Sequence, residues 1–229
     1  MRRILGVLSA AVLAAVVLAV GASAESLSDV LARMDRAAAE FKTFTAKVKQ
    51  TEFTAILDET TTKDGVVRLK RSGSVTVARM EFLEPDPSVM HISGRTIQVF
   101  YPKANTVQIY DAGKNANMVA QFLVLGFGTS QKELQKSYDI KLGGADRVGN
   151  VSATRLELTP KAKEIKEVAA RIDLWIPDGQ GSPIQERVTK PSKDYSLYTY
   201  SEPRLNAALP DADFTLTLPA GVKKIYPQK

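Results

Sequence analysis

Across most of this chain the apolar residues recur at every second position, and that pattern restricts the fold more than any other feature. Side chains alternate between the two faces of a strand, so Val67, Leu69 and Arg71 share one face while Val66, Arg68 and Lys70 share the other. The same period runs through Phe44, Ala46 and Val48, through Thr96 to Tyr101, and through Val168, Ala170, Ile172, Leu174 and Ile176. Turn signals separate these runs at Asp64-Gly65, Ser72-Gly73, Ser93-Gly94 and Pro177-Asp178-Gly179, and Glu84-Pro85-Asp86-Pro87 reads as a loop because neither proline can donate to a ladder. About ten or eleven strands follow one another, with Phe214 to Leu218 as a further edge and no βαβ rhythm, which predicts one large antiparallel sheet.

Two stretches break the alternation. From Ser26 to Phe41 the apolar residues Leu27, Val30, Leu31, Met34, Ala37, Ala38 and Phe41 recur at three and four, and Ser26 with Asp29 starts the helix as a capping box. Between Asn115 and Tyr138, Met118, Phe122 and Leu125 have helical spacing up to Gly126-Phe-Gly128, after which Thr129-Ser130 caps a second short helix. The expected fold is mainly β with α: a single sheet curled into an incomplete β-barrel, covered by the N-terminal helix and the helical insertion acting as a lid. Such a sheet encloses a cavity between its concave face and the helices. Arg71 is the anomaly, because it closes an otherwise apolar row, where a guanidinium needs acceptors for its five donors.

The first residues read as a targeting segment. Arg2 and Arg3 precede an apolar run from Ile4 to Val20, and Ala22-Ser23-Ala24 fits a small-x-small cleavage site. Residues 1–24 are thus expected to be a cleaved secretory signal and 25–229 a single domain exported to the periplasm as a monomer. The chain has no cysteine, which excludes disulfides, thiol chemistry and a lipidated cysteine, and its length suffices for an ordinary core. The formal charge is +6, two of it from Arg2 and Arg3, and the lysines are spread along the strands; a nucleic-acid surface needs a denser patch.

Catalytic chemistry finds little support. The single histidine, His91, builds no multi-histidine metal site, although an all-oxygen calcium site stays open. There is no Gly-x-Ser-x-Gly elbow and no Gly-rich phosphate loop, and the pairs Glu81/Glu84 and Glu164/Glu167 are of the kind any acid-containing chain shows. A non-enzyme without metal or cofactor is expected.

The order of elements then resembles the LolA family of periplasmic outer-membrane lipoprotein carriers. The resemblance runs through the export signal, the Ser26–Phe41 helix, Leu69-Lys-Arg71, the Pro85 loop, the Ser93-Gly94 turn, Tyr101-Pro102, Leu156-Glu-Leu-Thr-Pro160 and Leu218-Pro-Ala-Gly-Val222. It implies a carrier that shelters lipoprotein acyl chains, taking them from an inner-membrane ABC transporter to an outer-membrane acceptor. It also implies that Arg71 is the arginine that holds the lid shut, although Ser72 stands where the family has proline and Val75 where it has an aromatic. The expected floor is Val48, Val67, Leu69, Val75, Ile97, Val99, Ile172 and Leu174; the expected lid is Leu31, Met34, Met118, Phe122 and Leu125. Carriage of other lipids or glycolipids, and a periplasmic sensor or structural module of the same fold, remain as alternatives.

Overall fold

The computed structural model describes residues 25–73, 75–94, 96–111, 122 and 125–227. The expected signal segment and Met118 lie outside them, as does the side chain of Val75. Helix α1 (Leu27–Glu40) is followed by β1 (Thr43–Thr54), β2 (Glu59–Ser72), β3 (Val75–Phe82), β4 (Ser88–Ser93), β5 (Thr96–Tyr101) and β6 (Thr106–Asp111). Then come α2 (Gln131–Ser137), β7 (Tyr138–Val148), β8 (Val151–Pro160), the short α3 (Lys163–Lys166), β9 (Arg171–Pro177), β10 (Gln185–Thr189), β11 (Tyr195–Leu205) and β12 (Lys223–Ile225).

All twelve strands form one sheet in the order β12-β6-β5-β4-β3-β2-β1-β11-β10-β9-β8-β7. It is not closed into a barrel, and the helices cover it as a lid. Every pairing is antiparallel except β12 with β6, which is parallel. That exception arises because the chain leaves β11 beside β1 and crosses to the far edge of the sheet. Its course is pinned by Asn206, whose Oδ1 accepts from Lys42 N at 2.8 Å, by the Lys70–Asp211 ion pair, and by Arg79, which donates to the Thr215 carbonyl.

Three expectations about the strands need correction. The first hairpin turns at Ala55 to Asp58, and Asp64-Gly65 lies inside β2. A glycine is needed there for a different reason: a Cβ at position 65 would sit 2.1 Å from the Glu81 carbonyl oxygen of β3. Phe214 to Leu218 makes no edge strand; Asp211–Phe214 is a 3-10 turn that buries Phe214, and the edge is Lys223–Ile225. The alternation before Ile172 is not strand either, since β9 begins at Arg171, with Ala169 buried and Val168 exposed after α3.

Two apolar clusters lie under the helices. The first gathers Phe44, Ala46, Val48, Val67, Leu69, Ala78, Met80, Ile92, Ile97 and Tyr200 with Phe41 and Phe127. The second joins Val30, Leu31 and Met34 of α1 to Leu125, Leu134, Tyr138 and the strand residues Leu156, Leu158, Ile172, Leu174 and Val188. On the opposite face, Asp173 is wholly buried and accepts from Arg187 Nη2 at 2.9 Å, while the Arg187 guanidinium lies over Trp175.

Gly65→Ala is expected to lower stability by about 1–3 kcal/mol, the range for forcing a methyl into a packed site. A fall in the urea midpoint at unchanged slope is the signature; an unchanged midpoint contradicts the close β2–β3 approach.

Candidate functional site: the lid and the face beneath it

Arg71 ends the row Val67, Leu69, Arg71 on β2, and its side chain rises to the place where the two parts of the lid meet. Its Nη2 donates to the Ala38 carbonyl at 3.0 Å and to the Gly128 carbonyl at 2.8 Å, and its guanidinium lies 5.7 Å from the centre of the Phe41 ring. Both acceptors follow from local sequence. Ala38 lies in the last turn of α1, a helix with no basic residue there, so a cation from β2 meets the negative end of the helix dipole. Gly128 has φ +73°, and a Cβ on it would meet Phe41 at 2.7 Å and Arg71 Nη2 at 2.8 Å, so only glycine presents this carbonyl to the guanidinium.

The segment between the helices is fixed from both sides. Gln131 N donates to Asp35 Oδ1 on α1 at 2.9 Å. Ser130 and Glu133 form a capping box at the start of α2, as Ser26 and Asp29 do for α1, and in each box the hydrogen bonds from its serine hold the carboxyl below its ordinary range. Between the two glycines, Phe127 points down into the first cluster, its ring centre 4.3 Å from that of Phe44 and 5.5 Å from that of Tyr200. A pocket of about 520 Å³ opens beside the arginine, lined by Asp35, Ala38, Arg71, Thr76, Gly128 and Glu133 among others.

The expected floor residues do not line that pocket. Val48, Val67, Leu69 and Ile97 are buried in the first cluster with Val99 packed on it, whereas Ile172 and Leu174 belong to the second. Of the expected lid residues, Leu31, Met34 and Leu125 are buried against Ile172 and Leu174 in that second cluster, and Phe122 packs on it. The described floor and lid residues thus pack in two buried clusters, and Arg71 lies beside them at the pocket.

Sequence reading missed two residues. Phe127 was hidden inside a glycine pair that looked like a helix stop. Glu186 was visible in principle, because on β10 it shares parity with the buried Val188, the same irregularity that drew attention to Arg71. It is 1% exposed, neither carboxyl oxygen has a hydrogen-bond partner among the described residues, and burial raises its pKa well above the ordinary glutamate value. Its register partners are Leu174 and Tyr198, which places it at the junction of the two clusters. Burial with the charge of Glu186 nearby also pushes the Tyr138 phenol up to about 12 and that of Tyr200 well above its usual value. Among the described residues no group of three or more His, Asp or Glu gathers to hold a metal ion.

The sign of the resulting pH dependence is fixed. With the folded pKa of Glu186 above the ordinary 4.5, the native state binds the extra proton, so rising pH above about 4.5 lowers stability until the folded pKa is passed. Glu186→Gln removes this dependence, and its melting temperature is expected to gain on wild type as pH is raised from 4.5 to 8. Parallel curves from thermal scans contradict a protonated Glu186.

The chain's sequence matches the family described as outer membrane lipoprotein carrier protein LolA over residues 39–217. No curated protein matches it. Among solved structures, an uncharacterized conserved protein from Thermus thermophilus superposes with a TM-score of 0.52 at 14% identity, over 88% of this chain and 99% of that one. MucB, in the Pseudomonas aeruginosa MucA/MucB complex, gives a TM-score of 0.50 at 16% identity; 83% of this chain matches 60% of that one. At such identities the likeness is one of fold. The family match extends from the end of α1 across nearly the whole sheet and includes the arginine and the glycine it binds, so the chain belongs to the LolA family, as a non-catalytic periplasmic carrier for lipids or lipoproteins.

Proposed function

We propose that this protein takes lipoproteins from an inner-membrane ABC transporter to an outer-membrane acceptor, with their acyl chains sheltered between the concave face and the lid. The observation that carries this reading is the double hydrogen bond from Arg71 to Ala38 and Gly128, which fastens both parts of the lid to β2 over two apolar clusters. Magnitudes favour a lid that yields. Sheltering a chain of about fifteen carbons is worth on the order of 10 kcal/mol at about 0.8 kcal/mol per methylene. A hydrogen bond to a charged group contributes only about 1.5–3 kcal/mol. Arg71 therefore biases the empty protein toward closure without refusing an acyl chain.

Loading exchanges one apolar partner for another. Phe127, Leu125 and the inner face of α1 leave Phe44, Leu174 and Ile172, and acyl methylenes take their place. Unloading at the acceptor is the reverse, with Arg71 recapturing the two carbonyls. The single domain spanning residues 25–229 acts as one carrier, and the preceding segment serves export.

Arg71→Leu is expected to leave the protein folded, to raise hydrogen exchange at the Gln131 amide about tenfold or more, and to impair cargo transfer to acceptor membranes. Unaltered exchange and transfer remove Arg71 from the mechanism. Native mass spectrometry of protein taken from its own periplasm is expected to show lipoprotein adducts. Free lipid alone would instead favour a carrier of other lipids, and a complex with a membrane signalling protein would favour a sensor.

A further inference from the structure

Beneath the lid the two clusters are apolar except at their junction, and there the protein holds polar groups that it does not itself satisfy. Among the described residues neither oxygen of Glu186 has a hydrogen-bond partner, and within the second cluster the Tyr138 hydroxyl, on the first residue of β7 and 2% exposed, has none either. Tyr138 stands on β7, three strands from β10 in the sheet, and it forms no hydrogen bond with Glu186. Tyr198, directly across β10–β11 from Glu186, is already engaged: its hydroxyl accepts from Gln50 Nε2 at 3.4 Å, and Gln50 in turn donates to Glu52. Glu186 thus stands at the junction as a buried carboxyl that no described residue engages.

We infer that Glu186 is a hydrogen-bonding station for the carbonyl of an acyl ester or amide carried between lid and sheet. The chemistry selects that group. A protonated carboxyl is an O–H donor, and an ester or amide carbonyl is a neutral acceptor with two lone pairs. An anionic head would carry its own charge into a dry site, which is costly, and a plain hydrocarbon would leave the donor unmet. Burying an acid without a hydrogen-bond partner costs free energy, so stability gives no reason for an acid at this point; binding does. The station lies between the clusters, so a carbonyl there sends its chain along either apolar wall.

The inference rests on the carrier reading above, and its test separates the two. Wild-type, Glu186→Leu and Glu186→Gln proteins are equilibrated with phosphatidylcholine vesicles containing dipalmitoylglycerol or its diether analogue, which has the same chains and no carbonyl. Protein-bound lipid is then quantified. Wild type is expected to favour the ester over the ether about tenfold, Glu186→Leu to bind both equally, and Glu186→Gln, which keeps an N–H donor, to retain most of the preference. An ester-to-ether ratio near one in wild type, or the same ratio in wild type and Glu186→Leu, overturns the station while leaving the carrier intact. Failure of wild type to extract either lipid overturns both. Glu186→Leu removes a buried acid and is expected to fold at least as stably as wild type, and its thermal melt guards the comparison.

Discussion

A sheet that curls without closing has an apolar concave face, and water does not leave such a face uncovered. The rest of the molecule follows from that constraint. Val30, Leu31 and Met34 of α1, together with Leu125 and Phe127, bury what the strands expose, and Arg71 ties the two covering pieces together at their shared corner. Each piece keeps its own shape, because α1 and α2 each begin with a serine capping box that satisfies first amides locally. A cover built from self-sufficient pieces and fastened through few polar contacts can shift without melting.

The two clusters divide this work. The first is aromatic at its centre, where Phe127 inserts among Phe44 and Tyr200. The second is aliphatic and is filled by the inner face of α1. Glu186 stands at their junction opposite Leu174 and Tyr198, while the phenols of Tyr200 and Tyr138 are buried in the first and second clusters. Phenols pushed well above their ordinary pKa by burial stay protonated and remain donors across the physiological range.

Much of this was legible in the alternation alone. Period 2 gives the faces of β1, β2 and β9, and the spacing from Leu27 to Phe41 gives the buried stripe of α1. The misplaced hairpin at Asp64-Gly65 shows where local signals stop, because Gly65 serves a neighbour, Glu81, that sequence distance hides. Likewise the place of Phe127 depends on two positive-φ glycines and on Phe44 and Tyr200, which come together only after β1 has paired with β11. Glu186 carried a parity signal, but its isolation becomes visible only once β9 and β11 flank it and supply no donor.

The middle of the sheet is the pairing of β1 with β11, where Phe44 meets Leu205 and Phe53 meets Tyr195. A ladder between such distant parts of the chain has a high contact order, and its loop-closure entropy must be met before any of its contacts form. Until β11 is present, the wing from β2 to β6 has no continuation beyond β1, and the terminal crossing that ends in β12 waits longer still. Nearly the whole polypeptide must therefore be assembled on one side of a membrane before the fold can close. That ordering makes the covered apolar interior one of the last parts of the molecule to form.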